Sequence, residues 1–380
     1  MKDYFPARLA MGERFCNRVS EQTLLKAHIA KGRHTLLVSP RRYGKSSLVH
    51  KVVKDLKTPA AYIDFFMAHD DKAIALRIMK GFSDVLSQIL SKTQRTIKTL
   101  ETTFSRLKPT LSVHGIELSF SQASQEFDTV ANIHEALKGL AVVAHKTQQP
   151  VIIFIDEFQD INNAEQARAI QGALRNIAQE HTEIVFIFSG SSRHLLLDIF
   201  DDQKKPFYML CDKIELERMS SAHYLPYVQK AARAVWGKPL TETAYQAIIQ
   251  CSELHPFYVN LLGHQLCQNP SIPTEKSVYA AWQQCLDNEK RRLVSEVEHL
   301  TLNQQKALKF LAHTPTTEPM AQASLNTVNL SSASMRLCLQ FLLERDLVFK
   351  VAFEDPGLPL FKKGQYRVLD PLLAFYLRAF

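Results

Sequence analysis

The 380-residue chain lacks any apolar run near the roughly 20 residues that span a bilayer; the strand-like stretches 151–155 (VIIFI) and 184–188 (IVFIF) hold five each. No membrane helix is therefore expected. The start, MKDYFPARLAMGERF, mixes charged and apolar residues where a secretion signal needs an unbroken apolar segment, so a cytoplasmic protein without membrane contact is expected. Six cysteines, at 16, 211, 251, 267, 285 and 338, form no C-x-x-C pair and no His/Cys cluster at zinc-finger spacing, which excludes a disulfide framework and points to reduced, mostly buried thiols. Glycine is scarce at 12 residues, so each glycine at a sharp turn needs a reason. Internal repeats, low-complexity tracts and long Gly/Ser linkers are missing too. What is present, 46% hydrophobic and 22% charged residues, is the composition of a folded globular chain, and its length implies two or three domains.

The formal net charge is +8, but it is unevenly spread. Residues 1–100 hold 19 Lys and Arg against 8 Asp and Glu, which leaves 27 against 30 for the remaining 280. Polyphosphate ligands and DNA backbones both attract such a surplus, so its meaning depends on the motifs it accompanies.

Along the chain, a short amphipathic helix at 21–29 precedes a buried strand at 35–38, a polar loop, and an apolar-periodic helix through Leu48, Val49, Val52, Val53 and Leu56. A second strand at 60–66 and a helix at 74–90 follow. The alternation at 111–120 around Gly115 reads as a small inserted hairpin. A helix at 133–144 leads to the strongest strand, 151–155, then a helix at about 163–179 and another strand at 184–188. This rhythm implies a parallel sheet covered on both faces. Beyond Ile214 the expectation is helices at 220–236, 241–251 and 257–268. The last ninety residues read as helices at about 303–312, 321–325 and 332–345, then a strand at 347–353, a turn at 354–357 and a returning strand at 366–369, a winged helix-turn-helix order.

Residues 39–46 follow the phosphate-loop pattern G-x-x-x-x-G-K-[ST] except at its first glycine, which is Ser39. The chemistry needs main-chain N–H groups around the phosphates, a lysine on the β- and γ-phosphates and a hydroxyl for Mg²⁺; Lys45 and Ser46 fill the last two roles. The following helix adds its positive N-terminal dipole. Ser39 is tolerable there provided its backbone stays extended, because a side chain at positive φ costs roughly 1–2 kcal/mol. About 110 residues on, Asp156 and Glu157 end a buried strand: such an Asp holds Mg²⁺, and such a Glu polarises an attacking water. That glutamate favours hydrolysis, with a nucleotide kinase as the other possibility. At the end of the next strand, Ser189 or Ser191 could sense the γ-phosphate, or the segment 189–193 is simply a polar turn.

With these motifs the chain resembles the archaeal-type P-loop ATPases, AAA-like proteins of the signal-transducing STAND class that also occur in bacteria. Residues 15–21 (FCNRVSE) are similar to the class's apolar-apolar-Gly-Arg-x-x-Glu segment, with Asn17 in place of glycine. Residues 39–48 (SPRRYGKSSL) resemble its G-P-R-R-x-G-K-[ST]-S-L loop, and 151–161 (VIIFIDEFQDI) its Walker B block. Residues 255–258 (HPFY) resemble its small-x-Pro-aromatic lid element, and 366–371 (YRVLDP) the Asp-Pro ending of its terminal winged helix. The segment 206–211 (PFYMLC) departs from it by having no arginine. The resemblance implies an α/β P-loop NTPase core at 1–214, a helical lid at 215–288 and a winged helix-turn-helix domain at 289–380. It implies ATP or ADP with Mg as cofactors, held by Arg18, Pro40, Arg41, Arg42, Tyr43, Gly44, Lys45, Ser46, Ser47 and Pro256, with Ser46 and Asp156 on the metal and Glu157, Lys45 and Ser189 catalytic.

Three functions are compatible with this reading. One is a slow ATPase acting as a nucleotide-controlled switch whose winged helix contacts a protein partner. A second is a regulator of double-stranded DNA with an accessory ATPase core; against it, residues 301–380 hold only 9 basic and 6 acidic residues, and the candidate exposed face of the expected reading helix offers one arginine, Arg336, with Gln340 and Glu344. A third is a scaffold locked on ADP. Trp236, Trp282 and the apolar stripe at 341–343 are expected in the core, and His69, His114 and His134 have no metal-site spacing.

Overall fold

The computed structural model describes residues 4–6, 9–90, 107–112, 115–120 and 128–379. They fall into two compact units: a sheet unit, Val19–Arg41 with Leu48–Leu216, and a helical unit, Met1–Arg18 and Arg42–Ser47 with Glu217–Phe380.

The sheet unit contains α1 (Val19–Ala30), β1 (Thr35–Val38), most of α2 (Lys45–Leu56), β2 (Ala60–Asp64), α3 (Asp71–Ile89), the hairpin β3 (Leu107–Ser112) and β4 (Gly115–Phe120), α4 (Thr129–Thr147), β5 (Val151–Asp156), α5 (Ala167–Glu180), β6 (Ile184–Gly190), α6 (Arg193–Asp201) and β7 (Asp212–Glu215). Five strands form one sheet in the order β2-β5-β6-β1-β7, every pair parallel. Residues of β1 and β6 are buried throughout, and those of β5 as far as Ile155. These are the near-continuous apolar runs of a sheet covered on both faces. Leu36, Val38, Ile63, Ile153, Ile155, Phe186 and Phe188 face one core with α3, α4 and α5. Their neighbours Leu37, Ile152, Phe154, Val185 and Ile187 are buried on the other face, where His50 of α2 stacks on Tyr62 of β2 with ring centroids 4.0 Å apart.

Expected elements recur with shifted ends. The hairpin appears as β3 and β4, with Val113 and His114 outside the described residues. The helix expected at 163–179 is α5, which starts four residues later, after a 3-10 turn at Phe158–Asn163. The strand β7 escapes the sequence pattern because only Ile214 of its four residues is buried; Asp212, Lys213 and Glu215 mark an edge strand.

The helical unit contains α7 (Ser221–Trp236), α8 (Glu242–Ser252), α9 (Pro256–Leu266), α10 (Glu275–Glu298), α11 (Leu302–His313), α12 (Gln322–Val328), α13 (Ser332–Glu344), β8 (Val348–Lys350), β9 (Tyr366–Val368) and α14 (Pro371–Ala379). Local signals set the helix starts: Thr274 and Thr301 close capping boxes, Ser331 caps α13, and His255 caps α9 with Pro256 in its first turn. The uninterrupted α10 runs through 288 and 289, where the sequence reading set a boundary. Three helices followed by the antiparallel pair β8–β9 reproduce the order expected for the C-terminal segment, with both strands only three residues long. Trp282 is buried in this unit's core, Trp236 packs against it, and Phe341, Leu342 and Leu343 line it as expected. All six cysteines are free thiols, three of them buried.

Each unit has an anchoring interaction. In the sheet unit Phe158 is fully buried, its ring 4.7 Å from Phe188, 5.3 Å from Phe207, 5.7 Å from Phe200 and 6.0 Å from Phe65. In the helical unit the buried Glu253 meets Arg367 at 3.2 Å, Arg378 at 3.3 Å and Arg218 at 3.5 Å. Burial alone would raise its carboxyl, but the charges of Arg367, Arg218 and Arg378 hold it below the ordinary range.

Phe158→Ala is expected to lower unfolding stability by about 3–5 kcal/mol, read by urea denaturation, because it opens a cavity in a packed cluster. Glu253→Gln leaves three arginines without their counter-charge and is expected to cost about 3–5 kcal/mol at neutral pH. With its folded value depressed, the Glu253 contribution is present above the ordinary carboxylate range and is lost as pH falls through that lowered value. A stability profile between neutral and acid pH should accordingly be flatter in the variant than in the wild type.

Candidate functional site

Because all five strands run parallel, their carboxyl ends share one edge, and loops leaving it carry the unit's chemistry. Ile155 pairs with Phe188, so the next residues, Asp156 and Ser189, stand opposite one another, and the Ser189 hydroxyl donates to Asp156 Oδ1. The register of β2 with β5 sets Asp64 beside Asp156. Burial raises the Asp64 carboxyl above the ordinary range against the bond from Phe66 N–H, and the charges of Asp156 and Glu157 add to the rise. Asp160 is raised in the same way, by burial and by the Glu157 charge.

Glu157 is built with unusual care. Its backbone is left-handed, φ 50° and ψ 42°, a conformation costing a residue with a Cβ about 1–2 kcal/mol. Its N–H returns to Asp156 Oδ1 at 3.0 Å. Its Oε2 accepts three bonds: from Gln159 Nε2 at 2.6 Å, from the Ser191 hydroxyl at 2.7 Å and from Ser191 N–H at 3.0 Å. A carboxylate only accepts, so the Gln159 amide must turn its nitrogen toward it. This leaves Gln159 Oε1 buried with no hydrogen-bond partner. The same oxygen packs against Gly190, where an added Cβ would lie 2.0 Å from it and would push the Gln159 side chain aside.

The loop after β1 begins in the sheet unit. Ser39 is buried, and its backbone is absent from the left-handed residues, so the missing first glycine imposes no strain. Pro40 is buried, and Arg41 Nε donates to the Ser191 hydroxyl oxygen at 2.9 Å while its guanidinium lies 5.9 Å from the centre of the Phe66 ring. Two later loop residues do take positive φ, Arg42 at 64° and Gly44 at 91°; Gly44 needs its freedom for conformation, since a Cβ there would meet nothing within 4 Å. Lys45, buried, opens α2, with Ser46 and Ser47 in its first turn.

Residues 42–47 belong to the helical unit, where Tyr43 is the centre of contacts. Its carbonyl accepts from Arg18 Nη2 at 3.0 Å, its hydroxyl from Arg218 Nε at 3.2 Å, and its ring meets His255 edge-on at 4.8 Å. Arg18 is itself buried, donates to Glu217 O at 2.8 Å, and follows Asn17 in a left-handed pair with φ 50° and 58°, which gives Asn17 the backbone role of the glycine it replaces. Arg42 lies 4.1 Å over the Phe257 ring, in the same first turn of α9 as Pro256. The Ser47 hydroxyl accepts from Ala10 N–H at 3.0 Å. Arg218 donates further to Glu253 O and to Leu369 O, each at 2.6 Å, and lies 4.3 Å over the Phe349 ring.

Thus Asp156, Glu157, Ser189, Ser191 and Arg41 come together in the sheet unit, and Arg18, Arg42, Tyr43 and Pro256 in the helical unit. Ser189 and Ser191, one of which the sequence reading offers as a phosphate sensor with a polar turn as the alternative, bond to the acid pair. Motif reading leaves Gln159, Arg218 and His50 unmarked, since each earns its place through a partner distant in sequence. As for a metal, no three His, Cys, Asp or Glu side chains converge among the described residues. The strand-end carboxylate of Asp156 is an oxygen donor of the kind Mg²⁺ takes, one or two carboxylates together with phosphate and water.

Residues 35–201, under half of the chain, match the family described as "ATPase family associated with various cellular activities (AAA)". No curated protein sequence matches the chain significantly. Among solved structures, the Walker-type ATPase PABY2304 of Pyrococcus abyssi is similar, with TM-score 0.69 at 14% identity over 99% of both chains. The ORC2 protein of Aeropyrum pernix in its ADPNP–ADP complexes is similar with TM-score 0.56 at 15% identity, over 97% of this chain and 95% of that one. At such identities the likeness establishes the fold. The parallel sheet, the phosphate loop and the similarity of residues 35–201 to that family together support a nucleotide-binding P-loop ATPase.

Proposed function

We propose that this protein is a slow ATPase that works as a nucleotide-controlled switch and reports its state to a protein partner through its C-terminal segment. Its working parts are the ATPase core at 1–214, a lid at 215–288 and a winged helix-turn-helix domain at 289–380. Lys45 neutralises the β- and γ-phosphates, and Gly44, Ser47, Arg42 and Arg41 complete the phosphate loop. Ser46 and Asp156 would hold Mg²⁺, which would offset the charge of the phosphate oxygens. Glu157 takes a proton from the attacking water as its oxygen adds to the γ-phosphorus, and the bridging oxygen leaves on ADP.

The observation that carries the switch reading is Arg218. One buried guanidinium bonds both the hydroxyl of Tyr43, in the phosphate loop, and the carbonyl of Leu369, one residue past β9, and covers the Phe349 ring of β8. A displacement of the phosphate loop is thereby felt by the terminal hairpin. The partner is better read as protein than as DNA. The exposed face of α13 offers Arg336, the 68% exposed Leu337, and Gln340 bonded to Glu344, a nearly neutral surface.

Lys45→Ala is expected to abolish ATP binding, while Glu157→Gln binds ATP but turns over about a hundredfold or more slowly, read by equilibrium binding and phosphate release. Stoichiometric ADP in the purified protein with no turnover would favour the locked scaffold instead. Tyr43→Phe deletes only the hydroxyl that Arg218 holds. In the wild type, ATP should change amide hydrogen exchange across 347–369, and in this variant that response should disappear with ATP affinity nearly unchanged. A full response in the variant would count against the coupling.

A further inference from the structure

The bonds to Glu157 form a chain that begins in the phosphate loop. Arg41 Nε donates to the Ser191 hydroxyl oxygen at 2.9 Å, and the same hydroxyl donates to Glu157 Oε2 at 2.7 Å. A serine hydroxyl has one proton. With its oxygen occupied by a cationic donor, that proton is committed to the glutamate, and each bond polarises the next. The Ser191 N–H, at 3.0 Å, and Gln159 Nε2, at 2.6 Å, close on the same carboxylate oxygen. Ser191 itself is 5% exposed, while Arg41 reaches it from the exposed side. The protein accepts a left-handed glutamate and an unpaired Gln159 oxygen to keep this arrangement.

We propose that Arg41 is a positioning residue for Glu157, acting through the Ser191 hydroxyl, so that one of the loop's two arginines orients the carboxylate that polarises the attacking water. The two arginines then divide their work: Arg42 turns to the Phe257 ring, and Arg41 to the acid pair. Ser191 is the intermediary rather than a direct phosphate sensor. This proposal rests on the reading of Glu157 as the base.

The test measures ATP turnover and, separately, the dissociation constant of a fluorescent ATP analogue for the full chain and its Ser191→Ala, Ser191→Thr, Arg41→Gln, Ser191→Ala/Arg41→Gln and Glu157→Gln variants. Ser191→Ala is expected to lower kcat by about tenfold, the loss of one charge-assisted bond, with nucleotide affinity unchanged. Ser191→Thr, which keeps the hydroxyl, should restore most of it. Arg41→Gln should also lower kcat, and the double variant should be no slower than the slower single one, because both break a single chain. Wild-type kcat in Ser191→Ala, additive losses in the double variant, or an Arg41→Gln effect confined to affinity would overturn the proposal. Wild-type protein that turns over no ATP would remove the hydrolytic reading and the proposal with it. Turnover abolished by Glu157→Gln but untouched by Ser191→Ala would remove the proposal alone.

Discussion

Parallel pairing of buried strands is the constraint from which the site follows. A parallel sheet covered on both faces needs apolar residues along every central strand, so polar chemistry is pushed to the strand ends. In β5 and β6 the apolar runs stop one residue short of Asp156 and Ser189, and their register makes those two residues neighbours. Once that pairing holds, the next residues on each strand, Glu157 and Gly190–Ser191, have little choice but to meet as well.

The meeting is not free of cost. Glu157 takes a left-handed backbone, Gln159 leaves a buried oxygen without a partner, and a side chain at Gly190 would displace Gln159. Each is a local violation of what makes a stable chain, and all three converge on one carboxylate, a pattern that belongs to sites held ready for chemistry. The Phe158 cluster directly behind Glu157 supplies the packing that keeps such a strained turn in place.

Charge organises the helical unit differently. Glu253 gathers Arg218, Arg367 and Arg378 in a buried group, and Arg218 extends the group to main-chain carbonyls and to the Tyr43 hydroxyl. A buried ion group stabilises poorly compared with an apolar one of equal volume, but it has a defined geometry and registers displacement sharply.

Much of this was legible in the residues alone. The buried strands, the Gly44-Lys45-Ser46 loop and the acidic end at Asp156-Glu157 were set by local pattern: apolar five-residue runs between polar punctuation, helical periodicity, and turn residues at fixed offsets. The scarcity of glycine was informative too, since Gly44 takes a left-handed backbone, whereas Ser39 could replace a glycine because its backbone is not left-handed. The short edge strand β7 was hidden because one buried residue in four leaves no period to read. Only the tertiary structure decided which hydroxyl serves which carboxylate, that Arg41 reaches Ser191 across 150 residues, and that Arg218 reaches Tyr43 across 175. The physical reason is that local pattern specifies what an element is, whereas the partner of a buried polar group is fixed by register and packing between segments far apart in the chain.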